Sequence, residues 1–211
     1  MTVIQRGRRN GGRLRLIIGT NNAHKVEEIR AILPEIEWVT PEDLGIEAEI
    51  DETGETFAEN ALLKAKAFAA LAGIPAVADD SGLETDALDG RPGVYSHRFC
   101  PWAGADDRDR RRYLIERLSA FPRPWKGRFV SCAALYDPAA DRAITVFGTV
   151  DGEILDADRG GNGFGYDAIF YVPSLGKTMA EMSEAEKNAI SHRGASFRAL
   201  RARMIEMGIL R

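Results

Sequence analysis

The sequence predicts an α/β fold on a mixed sheet, and three observations carry that reading. The apolar run Leu14, Leu16, Ile17, Ile18 leads through a polar turn into apolar positions at helical spacing. A second short run, Ile74 to Ala78, follows an alanine-rich helical stretch and delivers two aspartates. Two longer strand patterns, Arg128 to Tyr136 and Ala143 to Val150, are separated by Asp137-Pro138 and a polar turn, which reads as an antiparallel hairpin.

Each element has a local cause. Val26, Ile29 and Leu33 set a helix from Lys25 that Pro34 ends, and Trp38-Val39 begins a second strand. From Thr56 to Gly73 the positions Phe57, Ala61, Ala65, Phe68 and Ala72 repeat at helical spacing, and Gly73 supplies the stop. The strand Ile74 to Ala78 is expected to end there, with Asp79-Asp80-Ser81-Gly82 beyond it, a common place for chemistry in α/β folds. A helix from about Asp106 to Leu118 buries Leu114 and Leu118 and carries Arg108, Arg110, Arg111 and Arg112, read as a solvated face. After a glycine-rich loop from Gly160 to Asp167, Ile169 to Val172 is a strand closed by Pro173. Ser183 with Glu186 forms a capping box for a helix to about Ile190, and Phe197, Leu200, Met204 and Met207 form the buried stripe of the last helix.

Composition narrows the function classes. A chain of 211 residues fits one globular unit, or two lobes sharing a sheet, with a sizeable core. The net charge of -4 gives no long-range pull towards nucleic acid, so a bound phosphate needs a local set of donors. Basic residues concentrate early, at Arg6, Arg8, Arg9 and Arg13 among Gly7, Gly11 and Gly12, so residues 1–13 are expected to be a disordered basic tail ahead of a single domain over 14–211. No stretch approaches about 20 apolar residues and no secretory core opens the chain, so no membrane partner and a cytoplasmic location are expected. Cys100 and Cys132 are too few for a disulfide framework or structural zinc.

Four segments hold candidate chemistry. Thr20, Asn21, Asn22, Ala23, His24 and Lys25 form a strand-to-helix turn, where free N–H groups and the helix dipole favour an anion; a capped surface helix explains the same residues without a ligand. Glu47, Glu49, Asp51 and Glu52 with Asp79-Asp80 could give a hard Mg2+ ion its few carboxylate oxygens. Phe164, Gly165, Tyr166 and Asp167 combine close backbone approach, an aromatic face and a carboxylate suited to a base. Lys187 with Ser191, His192, Arg193 and Gly194, placed just after a helix, offers donors for a purine 6-oxo group or a phosphate, or simply a carboxyl-terminal cap. Gly176-Lys177-Thr178 imitates a P-loop ending, but the earlier glycine position is Tyr171, so no P-loop is assigned.

Taken in order, Thr20-Asn21-Asn22 with Lys25 and Glu28, Glu52-Thr53-Gly54 with Thr56-Phe57 and Glu59-Asn60-Ala61, Ala78 to Leu83, Gly90 to Ser96, Phe164 to Asp167, and Glu186-Lys187-Asn188 with Ser191-His192-Arg193 resemble the inosine triphosphate pyrophosphatase family over roughly residues 14 to 207. The resemblance implies a two-lobed fold around a long mixed sheet, a nucleotide cleft between the lobes, a homodimer, and Mg2+-dependent hydrolysis of purine triphosphates such as ITP, dITP and XTP to monophosphate and pyrophosphate. It also implies roles: Thr20 to Lys25 and Lys64 on the triphosphate, Asp80 as catalytic carboxylate and metal ligand with Asp51 or Glu52, Ser81 on substrate, and Phe164 to Asp167, Lys187, His192 and Arg193 around the base. Asp51-Glu52 stands where that family often has a glutamate pair. A Maf-type nucleotide pyrophosphatase, a nucleotide-binding protein without hydrolysis, and an RNA-binding protein using the Arg-rich tail are the alternatives, the first opposed by the Ser-His-Arg segment.

Overall fold

The computed structural model describes residues 12–210, so the basic tail expected over 1–13 lies outside the described residues apart from Gly12 and Arg13, both exposed. Seven strands hydrogen-bond in the order β2-β1-β3-β4-β5-β6-β7. They are β1 (Arg15–Ile18), β2 (Glu37–Val39), β3 (Ala76–Thr85), β4 (Trp125–Asp137), β5 (Arg142–Ile154), β6 (Phe170–Val172) and β7 (Lys177–Thr178). The helices are α1 (Ala23–Ile32), α2 (Phe57–Ala72), α3 (Asp107–Leu118), α4 (Glu184–Ile190) and α5 (His192–Glu206). Parallel pairing of β1 with β2 and β3, and antiparallel pairing of β6 with β5 and β7, make the sheet mixed, as the sequence predicts. Among the described residues, no helix is long and apolar enough to cross a membrane.

The described residues divide into two compact units, the first comprising 12–80, 131–148 and 193–210 and the second 81–130 and 149–192. In the first unit β1 alternates. Leu16 and Ile18 join Val26, Ile29 and Leu33 of α1 and Phe197, Leu200 and Met204 of α5 in one apolar cluster. Ile17 turns to the other face and packs with Phe68 and Ala69 of α2. Period-two alternation thus puts α1 with α5 on one face and α2 on the other, and each buried Leu, Ile or Phe contributes about 1.5–3 kcal/mol. In the second unit Leu114 and Leu118 of α3 pack with Leu83, Phe129, Ile154, Tyr166, Phe170 and Met179.

Three local expectations are corrected. β3 does not stop at Ala78 but runs on to Thr85, carrying Asp79, Asp80, Ser81 and Gly82 inside the strand. β1 pairs only with Ala76 and Val77, while β4 is the neighbour on the other edge; this second ladder holds residues of low strand propensity in extended form. His192 and Arg193 do not form the cap of the preceding helix but open α5. Ser191 caps α4 with its N–H on the Lys187 carbonyl, and its extended backbone restarts the chain. Finally, α3 is not a plainly solvated arginine face: Arg108 and Arg112 are exposed, whereas Arg110 and Arg111 are half-buried. Lys177 and Thr178 are the strand β7 itself, with Lys177 paired to Glu186 at 2.8 Å, where a P-loop would open a helix.

Candidate active site

In the first unit the polar groups gather where β1 ends and β3 continues. Gly19 N–H donates to the Val77 carbonyl at 2.7 Å, the last rung before β1 turns into α1. Asn22 caps α1, its Oδ1 accepting from Lys25 N–H at 3.3 Å, and Thr20 Oγ1 accepts from Asn22 N–H at 3.2 Å. Asn21 Nδ2 donates to the Ala48 carbonyl at 2.9 Å. Ala23 and His24, both exposed, begin the helix, and its first turn carries no acidic residue to compete with an anion. One turn in, Lys25 Nζ lies 2.8 Å from Asp79 Oδ2 and 3.4 Å from the Asp79 carbonyl. Burial pulls the Lys25 ammonium below its usual range and Asp79 only partly opposes this.

Asp79 and Asp80 are neighbours on a strand and so point to opposite faces. Asp79, 1% exposed, belongs to the α1–α5 face. Its Oδ1 accepts from Ser131 Oγ at 2.5 Å, and its Oδ2 accepts from Arg193 Nη2 at 3.1 Å and Nε at 3.3 Å. Arg193 Nη1 donates to Glu28 Oε2 at 2.5 Å, and Ser196 Oγ sits 2.8 Å from Ser131 Oγ. Burial works against the Asp79 charge, but Arg193 and then Lys25 hold its carboxyl well below the ordinary range. It is a fixed anion.

Asp80 faces α2. Its Oδ1 accepts from Lys64 Nζ at 3.0 Å, and the same ammonium pairs with Glu52 Oε1. Lys64 lies one turn past Asn60 on the buried side of α2. The helix start is tied down by a capping box between Thr56 and Glu59. Asn60 Oδ1 accepts from Gly54 N–H at 2.8 Å, so close that a Cβ on Gly54 would meet that oxygen at 2.7 Å. These contacts fix the turn that presents Glu52. Asp51, Glu47 and Glu49 are exposed, so of the two acids considered as Asp80's partner, Glu52 is the one the shared ammonium brings in. Burial raises the Asp80 carboxyl and Lys64 works against it, while burial lowers the Lys64 ammonium but Asp80 and Glu52 raise it further. Asp80 Oδ2 is buried with no hydrogen-bond partner among the described residues, an arrangement that costs about 1–3 kcal/mol and calls for a ligand.

In the second unit the residues expected around a base form their own cluster. Asp167 Oδ2 accepts from Lys187 Nζ at 2.6 Å and from Phe164 N–H at 2.9 Å, and the Lys187 ammonium lies 4.9 Å from the Phe164 ring centroid. The Asp167 carboxylate, 4% exposed, therefore braces the loop. Gly163 sits at φ 72 with its missing Cβ aimed 2.2 Å from Asp167 Oδ2, so both backbone and space demand glycine there. Tyr166 is an anchor, its hydroxyl donating to the Ser96 carbonyl at 2.9 Å. His192 stacks on Phe129 with centroids 4.7 Å apart and 16° between planes. Ser81 is half-buried beside Asp80 in the chain.

The structure thus brings together Lys25, Lys64, Glu52, Asp79 and Asp80 in one unit and Phe164, Asp167 and Lys187 in the other, where His192 lies on Phe129. Arg193, expected at the base, is 1% exposed and pairs with Asp79 and Glu28. Sequence reading gave no role to Ser131, Ser196 or Glu28. A signal existed for Glu28, an acid beside the apolar Ile29 on the side of α1 that carries Lys25. Nothing in the strand pattern of β4 singles out Ser131.

A model of the Ham1 family matches residues 16–203. The chain is 44% identical over 194 residues to the dITP/XTP pyrophosphatase of Exiguobacterium sibiricum, covering 90% of this chain and 96% of that one. To the dITP/XTP pyrophosphatase of Thermus thermophilus it is 46% identical over 190 residues, covering 89% and 90%. Among solved structures, a HAM1 protein from Coxiella burnetii superposes with a TM-score of 0.83 at 39% identity, covering 92% of this chain and 99% of that one. The chain belongs to the Ham1 family.

Proposed function

We propose that this protein hydrolyses non-standard purine nucleoside triphosphates, ITP, dITP and XTP, to the monophosphate and pyrophosphate, and so cleanses the nucleotide pool. The observation that carries the reading is the pair Asp80 and Glu52 on one lysine, with an unpartnered carboxylate oxygen beside it. The names of relatives such as that of Exiguobacterium sibiricum support it, and the Ham1 match leaves the Maf-type alternative without support.

Phosphate chemistry falls to the first unit. The amino end of α1 and the ammonium groups of Lys25 and Lys64 offset triphosphate charge. Asp80, its proton affinity raised by burial, orients an attacking water and takes its proton. The water oxygen bonds to the α-phosphorus, the bridging P–O bond breaks, and its electron pair leaves with pyrophosphate. Among the described residues no three His, Cys, Asp or Glu side chains gather as a metal cage. Magnesium needs none, because it takes one or two carboxylates and completes its shell with water and phosphate oxygens. Asp80 and Glu52 are such hard donors and would hold it; when bound, the ion offsets charge on the phosphates and on the departing pyrophosphate.

Base recognition falls to the second unit, where Phe164 offers a face and Lys187 and His192 offer donors to a 6-oxo group. Adenine carries an amino donor there and would leave those groups unmatched, at about 1–3 kcal/mol each, or tens- to hundred-fold in rate. The homodimer and the cytoplasmic location belong to the same proposal. A pyrophosphate-release assay with ITP, XTP, ATP and GTP, with and without magnesium, checks it. Turnover of ITP and XTP far above ATP, dependent on magnesium, is expected; equal rates on all four reject the selectivity claim.

A further inference from the structure

The base-facing loop is clamped from outside by two residues of α3. Gly165 lies between the aromatic Phe164 and the anchored Tyr166, at φ 61 and without a side chain to hold it. Both of its peptide groups are nonetheless held. Its N–H donates to Asp107 Oδ2 at 2.7 Å, and its carbonyl accepts from Arg111 Nη1 at 2.8 Å. Asp107 and Arg111 are four apart, hence on one side of the helix. Each is fixed in turn: Asp107 Oδ1 accepts from Arg110 Nη1 at 2.7 Å, and Arg111 grips Asp158 through Nε at 2.9 Å and Nη2 at 2.7 Å. Arg110 Nε also donates to the His97 carbonyl at 2.7 Å.

We propose that Asp107 and Arg111 are positioning residues that set the plane of Phe164, and through it base selectivity, by locking the two peptide groups of Gly165. Three contacts from one guanidinium use the fixed fork that lysine lacks. The Lys187–Asp167 pair ties the far side of the same loop at Phe164 N–H, so the ring is fixed between an inner and an outer tether. The inference rests on the proposed function, since it needs the loop to face a base.

The test measures kcat and KM for ITP, ATP and a base-free substrate, ribose 5-triphosphate, in wild type, Arg111→Met, Arg111→Lys and the surface variant Asp158→Ala, with thermal denaturation of each. Arg111→Met is expected to raise KM for ITP and to reduce the ITP-to-ATP ratio of kcat/KM about tenfold. Turnover of ribose 5-triphosphate should be unchanged. Arg111→Lys and Asp158→Ala are expected to give smaller losses of the same ratio with melting temperatures near wild type. If folded Arg111→Lys and Asp158→Ala keep the full ratio, or if all three substrates lose rate in proportion, the inference is overturned. A wild type that does not prefer ITP over ATP overturns the functional reading and the inference with it, and that result is visible before any variant is made.

Discussion

Replacing Asp80 by Asn is expected to lower kcat for ITP about a thousandfold or more while leaving the fold in place. Asparagine keeps the size of the side chain and can still accept from Lys64, so the 3.0 Å contact has a neutral substitute. What disappears is the proton acceptor and an anionic oxygen for the metal, and the loss of a positioned general base alone costs about 10²–10⁴ in rate. KM should change less than kcat, because Lys25 and the α1 terminus, the phosphate binders of the proposed function, are untouched. The measurement is steady-state pyrophosphate release, with circular dichroism to show the fold. A variant within tenfold of wild type would remove Asp80 from the chemistry. Asp79→Asn would not be a substitute control, since Asp79 answers Lys25, Ser131 and Arg193 at once.

Arg193→Met is expected to be the most destabilising single change in the first unit. It removes the cation from between Asp79 and Glu28, which are 1% and 6% exposed, and deprives both buried carboxylates of the guanidinium they share. Breaking a buried pair in this way costs about 3–5 kcal/mol, or a drop in melting temperature of about 6–20 °C for a chain of this size. The dependence on pH fixes the cause. The folded Asp79 carboxyl lies well below its unfolded value of about 4. Its stabilisation is therefore complete above that value and is lost as pH falls through the folded one. Without Arg193 the largest influence holding that carboxyl down is gone, so the deficit of the variant is greatest near neutrality. The gap between the two proteins should narrow as pH falls below about 4, in denaturation followed by circular dichroism. A gap that is small, or constant with pH, would mean that Arg193 is not the counterion described.

Local signals in the sequence were read well where the physics is local. Ser183 with Glu186, and Gly73, place helix ends because capping depends on residues three or four apart. The hairpin of β4 and β5 follows from two strand patterns and a four-residue turn. What escaped the reading is set by partners distant in sequence. β3 continues past Ala78 because β4, some fifty residues on, completes its ladder. Arg193 has its partners at positions 28 and 79, and no spacing rule links them. The half-buried side of α3 was taken for solvent because Asp107 and Arg111 find a backbone glycine, which carries no side-chain pattern to match. The candidate residues themselves were legible as residue types; which of them brace and which face a ligand required the contacts.

The proposed function divides the labour, with phosphate chemistry by Asp80 and Lys64 and base reading by the Phe164–Lys187 cluster. Comparing ITP with ribose 5-triphosphate in Asp80→Asn and Lys187→Met separates the two roles. Asp80→Asn is expected to lose turnover on both substrates by the same factor, whereas Lys187→Met loses it on ITP and keeps it on the base-free triphosphate. Equal losses on both substrates in Lys187→Met, or a loss confined to ITP in Asp80→Asn, would contradict the account.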